Sequence, residues 1–291
     1  RTVRARAVVN AAGPWVMDAQ HEAHTRAPGR VRLIRGSHIV VPRLHDGPQA
    51  YILQNDDRRV VFVIPYERDF SLIGTTDVPH EGDATGAHCT PEEAAYLCEA
   101  VSKQFRRPVT PADVVWSFAG VRPLFDDGTD DPSAITRDYV LKLDAEGPPL
   151  LTIFGGKITT YRRLAEEAMQ RLAPHFPGLK PAWTAGTALP GGDLGVPFAE
   201  FLAATARRYP ALPQPALTRM AHSYGADLPA ILGDRGDLGE DFRAGLTAAE
   251  IAWLRDREWA RTAEDVLWRR TRLGLHMTEA QRRHVQDAMG G

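Results

Sequence analysis

The tetrapeptide Phe154-Gly155-Gly156-Lys157 closes an apolar run and opens a helical one, and the strongest chemical signals of the sequence gather around it. Paired glycines allow close backbone approach, and a helix starting just after them presents free N–H groups at its positive dipole end. Such an end stabilises negative charge on a bound ring or anion. Arg122, Arg137 and Lys157 lie at or near strand ends in otherwise apolar stretches, where a cation is costly unless an anion pairs with it. If they converge, they make a phosphate clamp. His38, between Ser37 and Ile39-Val40-Val41, is a candidate general base because imidazole titrates near neutral pH. Taken singly, each group has a commoner, ordinary explanation: a tight turn, a surface cation, a structural histidine.

The elements that must position these residues can be read from periodicity. Ala7-Val8-Val9-Asn10-Ala11-Ala12-Gly13-Pro14 reads as a short buried strand, of the kind found in parallel sheets, delivering a tight loop at Gly13. Strand-like runs at 37–41, 50–53, 60–64 and 70–74, separated by polar turns, predict a mostly antiparallel sheet. A helix over 91–105, capped by Thr90 with Pro91 at its first position, should pack on it. The run 114–124 is strand-like until Gly120 and Pro123 bend it, which puts Arg122 at the strand's end. Two further strands, 139–143 and 150–154, lead to Gly155-Gly156 and a helix with Ile158, Tyr161, Leu164, Ala165, Ala168, Met169 and Leu172 on one face. The stretch 17–29 and the acidic loop 126–132 carry no functional signal. From about Lys180 the chain reads as helices punctuated by Pro and Gly, at 199–209, 216–224, 248–254 and 263–275. The charged phrase 259–275 reads as a solvated amphipathic helix.

With 291 residues, 43% hydrophobic and 25% charged, the chain can fill about two domains. A net charge of -2 gives no general attraction for nucleic acid. Cys89 and Cys98 match no metal-ligand pattern, so a reducing compartment and unpaired thiols are expected, with no metal site. No apolar run reaches the roughly 20 residues of a membrane-spanning helix. There is no Gly-x-Gly-x-x-Gly, the element that would hold a dinucleotide pyrophosphate on a helix N-terminus. The opening at Arg1, without an initiator Met, reads as that of a piece of a longer protein.

Longer phrases carry more than spacing does. Arg32-Leu33-Ile34-Arg35-Gly36-Ser37-His38-Ile39-Val40-Val41-Pro42-Arg43, Tyr51-Ile52-Leu53-Gln54-Asn55, Phe62-Val63-Ile64-Pro65, Ile73-Gly74-Thr75-Thr76-Asp77, Gly120-Val121-Arg122-Pro123-Leu124, Ile135-Thr136-Arg137-Asp138-Tyr139 and Phe154 to Arg162 follow in order. With Leu189-Pro190-Gly191-Gly192 and Leu267-Trp268-Arg269-Arg270-Thr271, they resemble the aerobic, FAD-dependent glycerol-3-phosphate dehydrogenases over essentially the whole chain. The resemblance implies an α+β and α/β architecture: an incomplete FAD-binding domain of the glutathione-reductase/D-amino-acid-oxidase type with a mostly antiparallel substrate sheet, together over 1–179. An all-α C-terminal domain over 180–291 would follow. It implies oxidation of sn-glycerol 3-phosphate to dihydroxyacetone phosphate, FAD accepting hydride and a membrane quinone the electrons. It puts His38, Arg122, Arg137 and Lys157 around the substrate and Gly13, Gly155, Gly156, Lys157 and Thr159 near the flavin. Either His38 or Lys157 would be the base, with His38 favoured because its neutral form needs no shift at pH 7.

The same resemblance implies a cytoplasmic protein, peripheral on the inner face of the membrane, in a complete enzyme that forms a homodimer. Without the Gly-x-Gly-x-x-Gly unit the piece is expected neither to retain FAD nor to turn over alone. Two other functions compete: an amine or amino-acid oxidase of the same flavin fold, with Arg122 on a carboxylate, and a non-catalytic helical module from Lys180 that docks to a partner or membrane.

Overall fold

The structure, a computed structural model, describes residues 2–24, 29–126, 138–234 and 238–290. It divides into two compact units, Arg1–Ala185 and Gly186–Gly291.

In the first unit, strand β1 (Val8–Asn10) runs into a 3-10 turn, Gly13–Trp15, and helix α1 (Val16–Glu22). The segment expected to be a plain loop from 17 therefore begins as helix. Pro14 supplies a helical φ at no hydrogen-bond cost and Asp18 faces the positive end of the helix. Strands β2 (Val31–Pro42), β3 (Tyr51–Gln54), β4 (Val60–Tyr66), β5 (Phe70–Gly74) and β6 (Val78–Pro79) follow, then helix α2 (Pro91–Ser102) and strand β7 (Trp116–Phe125).

Strand β2 is the hub of this antiparallel sheet. On one side it pairs with β7 from Val31↔Phe125 to Val40↔Trp116. On the other it pairs with β5 along His38–Pro42 and with β6 at Ile34 and Arg35, so the ladder is broken opposite Gly36 and Ser37. Period-two alternation sorts the side chains. Ile39, Val41, Val61, Val63 and Ile73 face Leu97 and Val101 of α2 and form a core. His38, Phe62, Gly74, Phe118 and Arg122 are in register on the opposite face.

Helix α2 begins where the sequence predicts, with a reciprocal cap: Glu93 N–H donates to Thr90 Oγ1 (3.3 Å) and Thr90 N–H to Glu93 Oε2 (3.1 Å). Thr90→Ala is expected to cost about 1 kcal/mol, seen as a lowered thermal unfolding midpoint. Strand β7 departs from expectation. It continues through Gly120 and Pro123 to Phe125, so Arg122 lies within the strand and not at its end. Gly120 faces Gly36 and Pro123 faces Leu33. Among the described residues β7 pairs with β2 alone, and an edge strand tolerates proline where the N–H would point away from its partner.

Strands β8 (Val140–Asp144) and β9 (Leu150–Phe154) form the expected hairpin, and β9 pairs in parallel with β1, Val8 against Leu150 and Asn10 against Thr152. After β9 comes a 3-10 turn, Ile158–Thr160, and helix α3 (Tyr161–Leu172). The helix packs Leu164, Ala168 and Leu172 against Leu151 and Ile153. The predicted apolar face is too wide: Ile158 sits in the turn at 88% exposed, and Tyr161 and Met169 remain half-exposed.

Among its described residues the second unit is built of helices joined by loops, with one isolated bridge, Asp241 to Thr247: α4 (Phe198–Arg208), α5 (Gln214–Tyr224), α6 (Leu228–Leu232), α7 (Ala248–Arg257) and α8 (Glu279–Ala288). Leu217, Met220, Leu228, Leu254, Val266, Leu273 and Val285 fill its core. A fully buried carboxylate, Glu250, accepts both Arg219 Nη1 and Nη2 at 2.7 Å and the Tyr224 hydroxyl at 2.6 Å. Burial and the Glu250 charge push the Tyr224 hydroxyl well above its usual pKa. The expected helix over 263–275 is instead a π-helical turn, Asp265–Arg270, a left-handed Arg272 (φ 56) and a 3-10 turn, Leu273–His276. Thr271 explains the break: its N–H (3.1 Å) and hydroxyl (2.7 Å) both donate to the Val266 carbonyl, which widens the turn to a five-residue step. The Leu189-Pro190-Gly191-Gly192 phrase docks at the end of α5, where Ala226 N–H donates to the Gly191 carbonyl (2.9 Å).

Candidate active site

Parallel pairing of β1 with β9 brings their carboxyl ends to one edge, the position at which open α/β sheets bind ligands. At the end of β1, buried Asn10 fixes the turn: its Nδ2 donates to the Val16 carbonyl (2.9 Å) and its Oδ1 accepts from Ala12 N–H (3.3 Å). Gly13 takes φ +58 there, a left-handed conformation that a side chain would strain. At the end of β9, Gly155 (φ +70) and Gly156 (φ +104) form the second loop. A Cβ on Gly155 would stand 3.1 Å from the Asp138 carbonyl and one on Gly156 3.0 Å from Leu164 Cδ1, so both glycines serve a close approach of the loop to the chain around it. Lys157 follows in extended conformation, exposed, and the next turn is closed by Thr160, whose N–H (3.0 Å) and hydroxyl (3.1 Å) donate to the Lys157 carbonyl. Thr159 is exposed beside it.

On the open face of the antiparallel sheet, the Arg122 guanidinium is aimed by two acceptors. Its Nη2 donates to Asp77 Oδ1 (2.6 Å) and to the Thr76 carbonyl (3.1 Å). Glycine at position 36 is required for this: a Cβ there would lie 2.7 Å from Arg122 Nη2 and 2.5 Å from Thr75 Oγ1. Along the same face, the His38 ring stacks on Phe118 with centroids 5.0 Å apart and planes 8° from parallel. Gly74 makes room for it, since a Cβ at that position would overlap the imidazole. His38 Nδ1 is buried and has no hydrogen-bond partner among the described residues. Burial first, and the positive charge of Arg122 second, hold the imidazole below its ordinary pKa of 6.5. Both effects oppose its protonation, which leaves a neutral imidazole with a lone pair for a proton.

The two clusters meet. A Cβ on Gly155 would lie 3.5 Å from the carbonyl of Pro123, the residue after Arg122, and the Phe125 and Phe154 rings pack edge to face at 5.3 Å. The end of β7 therefore abuts the glycine loop that ends β9. Of the predicted site residues, His38 and Arg122 share one sheet face, and Gly13, Gly155, Gly156, Lys157 and Thr159 cluster at the carboxyl edge. Arg137 lies outside the described residues. Sequence reasoning gave no role to Asp77, Thr76 or Gly36; the signal for the first two is the phrase Thr75-Thr76-Asp77 between a strand and a proline-ended one, and that for Gly36 is a glycine inside the strand Val31–Pro42.

A family model described as FAD dependent oxidoreductase matches residues 1–162. The chain belongs to that family. A second model, the C-terminal domain of alpha-glycerophosphate oxidase, matches residues 182–290 of the helical part. Among curated relatives, the chain is 49% identical to a glycerol-3-phosphate dehydrogenase of Pseudomonas aeruginosa, covering 96% of this chain and 56% of that protein. It is 46% identical to the aerobic glycerol-3-phosphate dehydrogenase of Escherichia coli (98% and 58%) and 48% identical to a D-erythritol 1-phosphate dehydrogenase of Brucella abortus (97% and 57%). The chain thus spans just over half the length of these relatives. Its fold is that of the Bacillus halodurans glycerol-3-phosphate dehydrogenase solved with FAD, at a TM-score of 0.79 and 27% identity, covering 99% of this chain and 62% of that one. The expected fold class, an FAD-dependent oxidoreductase domain with an antiparallel sheet and a helical C-terminal domain, is the one observed. Among the described residues no helix is long and apolar enough to cross a membrane.

Proposed function

We propose that this chain is the substrate-facing part of an FAD-dependent dehydrogenase that oxidises the C2 alcohol of sn-glycerol 3-phosphate to dihydroxyacetone phosphate. The observation that carries this function is the abutment of Pro123 on Gly155, which brings the strand that carries the anchored Arg122 guanidinium against the glycine loop that ends β9, with the neutral His38 imidazole further along the same sheet face. Gly13, at positive φ with nothing within 4 Å of where a Cβ would stand, and the orphaned Nδ1 of His38 both fit a site completed by a bound flavin and substrate. Gly13, Gly155, Gly156 and Thr159 would hold the cofactor from its ring side. FAD, when bound, supplies the acceptor for the hydride leaving C2. Arg122, with Arg137 as its expected companion, binds the phosphate. His38 takes the proton of the C2 hydroxyl. Lys157 is the weaker candidate for that step, because it is exposed to water next to Gly156.

Identities of 46–49% to proteins that act by name on polyol phosphates favour this substrate class over an amine or amino acid. The Brucella relative supports a second reading within the class, a tetritol phosphate such as D-erythritol 1-phosphate. Flavin bleaching in the complete enzyme decides between them: rapid reduction by sn-glycerol 3-phosphate is expected, and reduction by neither compound refutes the proposal. A membrane quinone as final acceptor and peripheral attachment, in a homodimer, complete the proposed function. The 291-residue chain alone, spanning 56–58% of two of its relatives, is expected to purify colourless and inactive. A yellow preparation whose flavin absorbance bleaches with substrate would contradict this.

A further inference from the structure

The break in the ladder beside β2 falls where the structure most needs a fixed backbone. Residues 75–77 bridge β5 and β6 without strand pairing, yet they hold both acceptors of the Arg122 guanidinium. What holds them is the side chain of Thr76, 1% exposed. Its Oγ1 accepts from the Ser37 N–H (2.9 Å), which faces the gap, and donates to Glu93 Oε1 (2.7 Å). The backbone adds only a long bond, Thr76 N–H to the Ser37 carbonyl at 3.4 Å. Glu93 is fixed in turn by the α2 cap, accepting Thr90 N–H, and by an ion pair with Arg35 Nη2 (3.0 Å).

Glu93 and Thr76 thus act through the thickness of the sheet. The carboxylate sits on the helix side, where burial would raise its pKa, but the Thr90 N–H and the Thr76 and Arg35 side chains outweigh that and keep it low. Thr76 transmits its fixed position to the open side, where its carbonyl and the next side chain, Asp77, meet Arg122. We propose that Thr76, locked by Glu93, is a positioning residue that sets where the Arg122 guanidinium stands to receive the substrate phosphate. The proposal rests on Arg122 being the phosphate ligand.

Thr76→Val keeps the shape and removes the hydroxyl, while Thr76→Ser keeps the hydroxyl. In the complete enzyme, Thr76→Val should raise KM for sn-glycerol 3-phosphate and Kd for dihydroxyacetone phosphate about tenfold, with kcat within about twofold, as expected for a displaced binding group. Thr76→Ser should restore both. In an Arg122→Ala background, Thr76→Val should add nothing further to KM. Should Thr76→Val fail to fold, Glu93→Gln, which preserves side-chain volume, carries the same expectation and the same two measurements. Native KM and Kd in a folded Thr76→Val or Glu93→Gln protein, or equal damage from Thr76→Ser, overturns the relay. An Arg122→Ala enzyme with native KM would instead overturn the phosphate assignment, so the two failures are separable.

Discussion

Arg122→Ala in the complete enzyme is expected to raise KM for sn-glycerol 3-phosphate about a hundredfold, a loss of roughly 3 kcal/mol, with kcat changed only a few-fold. The size follows from the site. The Arg122 side chain is 38% exposed and already bonded to Asp77 and Thr76, so substrate binding adds phosphate contacts to a prepared cation. Removing it also takes the positive charge away from beside the Asp77 carboxylate, whose own charge then opposes the phosphate. The phosphate is bound equally before and during hydride loss, so the effect belongs in KM, not kcat. Arg122→Lys should recover only part of the affinity, because an ammonium lacks the planar fork that meets Asp77 and a phosphate together. A steady-state KM within threefold of the native value in Arg122→Ala would exclude this role.

The pairing of strands and the caps could be read from residue types because they follow local rules. Thr90-Pro91 with Glu93 specifies the start of α2, and the period-two runs of β2, β4 and β5 specify which side chains face it. Tertiary context decided the rest. Gly120 and Pro123 look like strand breakers, yet β7 runs on because Gly120 faces another glycine and Pro123 sits in an edge strand. Thr271 looks like one more polar helical residue, yet its hydroxyl and N–H converge on a single carbonyl and end the helix over 263–275. In the candidate site, His38, Arg122 and the glycine loop drew notice as chemistry-bearing types. Asp77 and Thr76 did not, since their importance depends on a gap between β5 and β6 that only the register reveals.

His38→Gln is expected to lower kcat by about 10²–10⁴-fold with KM little changed, the range for losing a general base, measured in the complete enzyme with a soluble electron acceptor. The pH profile supplies a sharper check. Because burial and Arg122 both lower the His38 pKa, kcat/KM should rise with pH through a limb below 6.5 and stay level above it. Arg122→Ala removes one of the two causes and should move that limb upward. Stability follows with its own sign. Below pH 6.5 an unfolded His38 binds a proton that the folded one resists, so His38 costs stability progressively as pH falls through that window and contributes nothing above it. Turnover in His38→Gln equal to the native rate would remove His38 from the chemistry.

The register Val8↔Leu150 has a consequence for how the molecule reaches its native state. Strand β1 cannot find β9 until the whole antiparallel sheet and α2, which lie between them in sequence, have become compact, because closing so long a loop is entropically unrewarded beforehand. The antiparallel sheet, by contrast, grows through β4 and β5, whose partners are close along the chain. Strand β7, which carries Arg122, must wait for its sequence-distant partner β2, and the edge that would receive the flavin closes a longer loop still, so the β3–β4–β5 meander forms before either half of the candidate site.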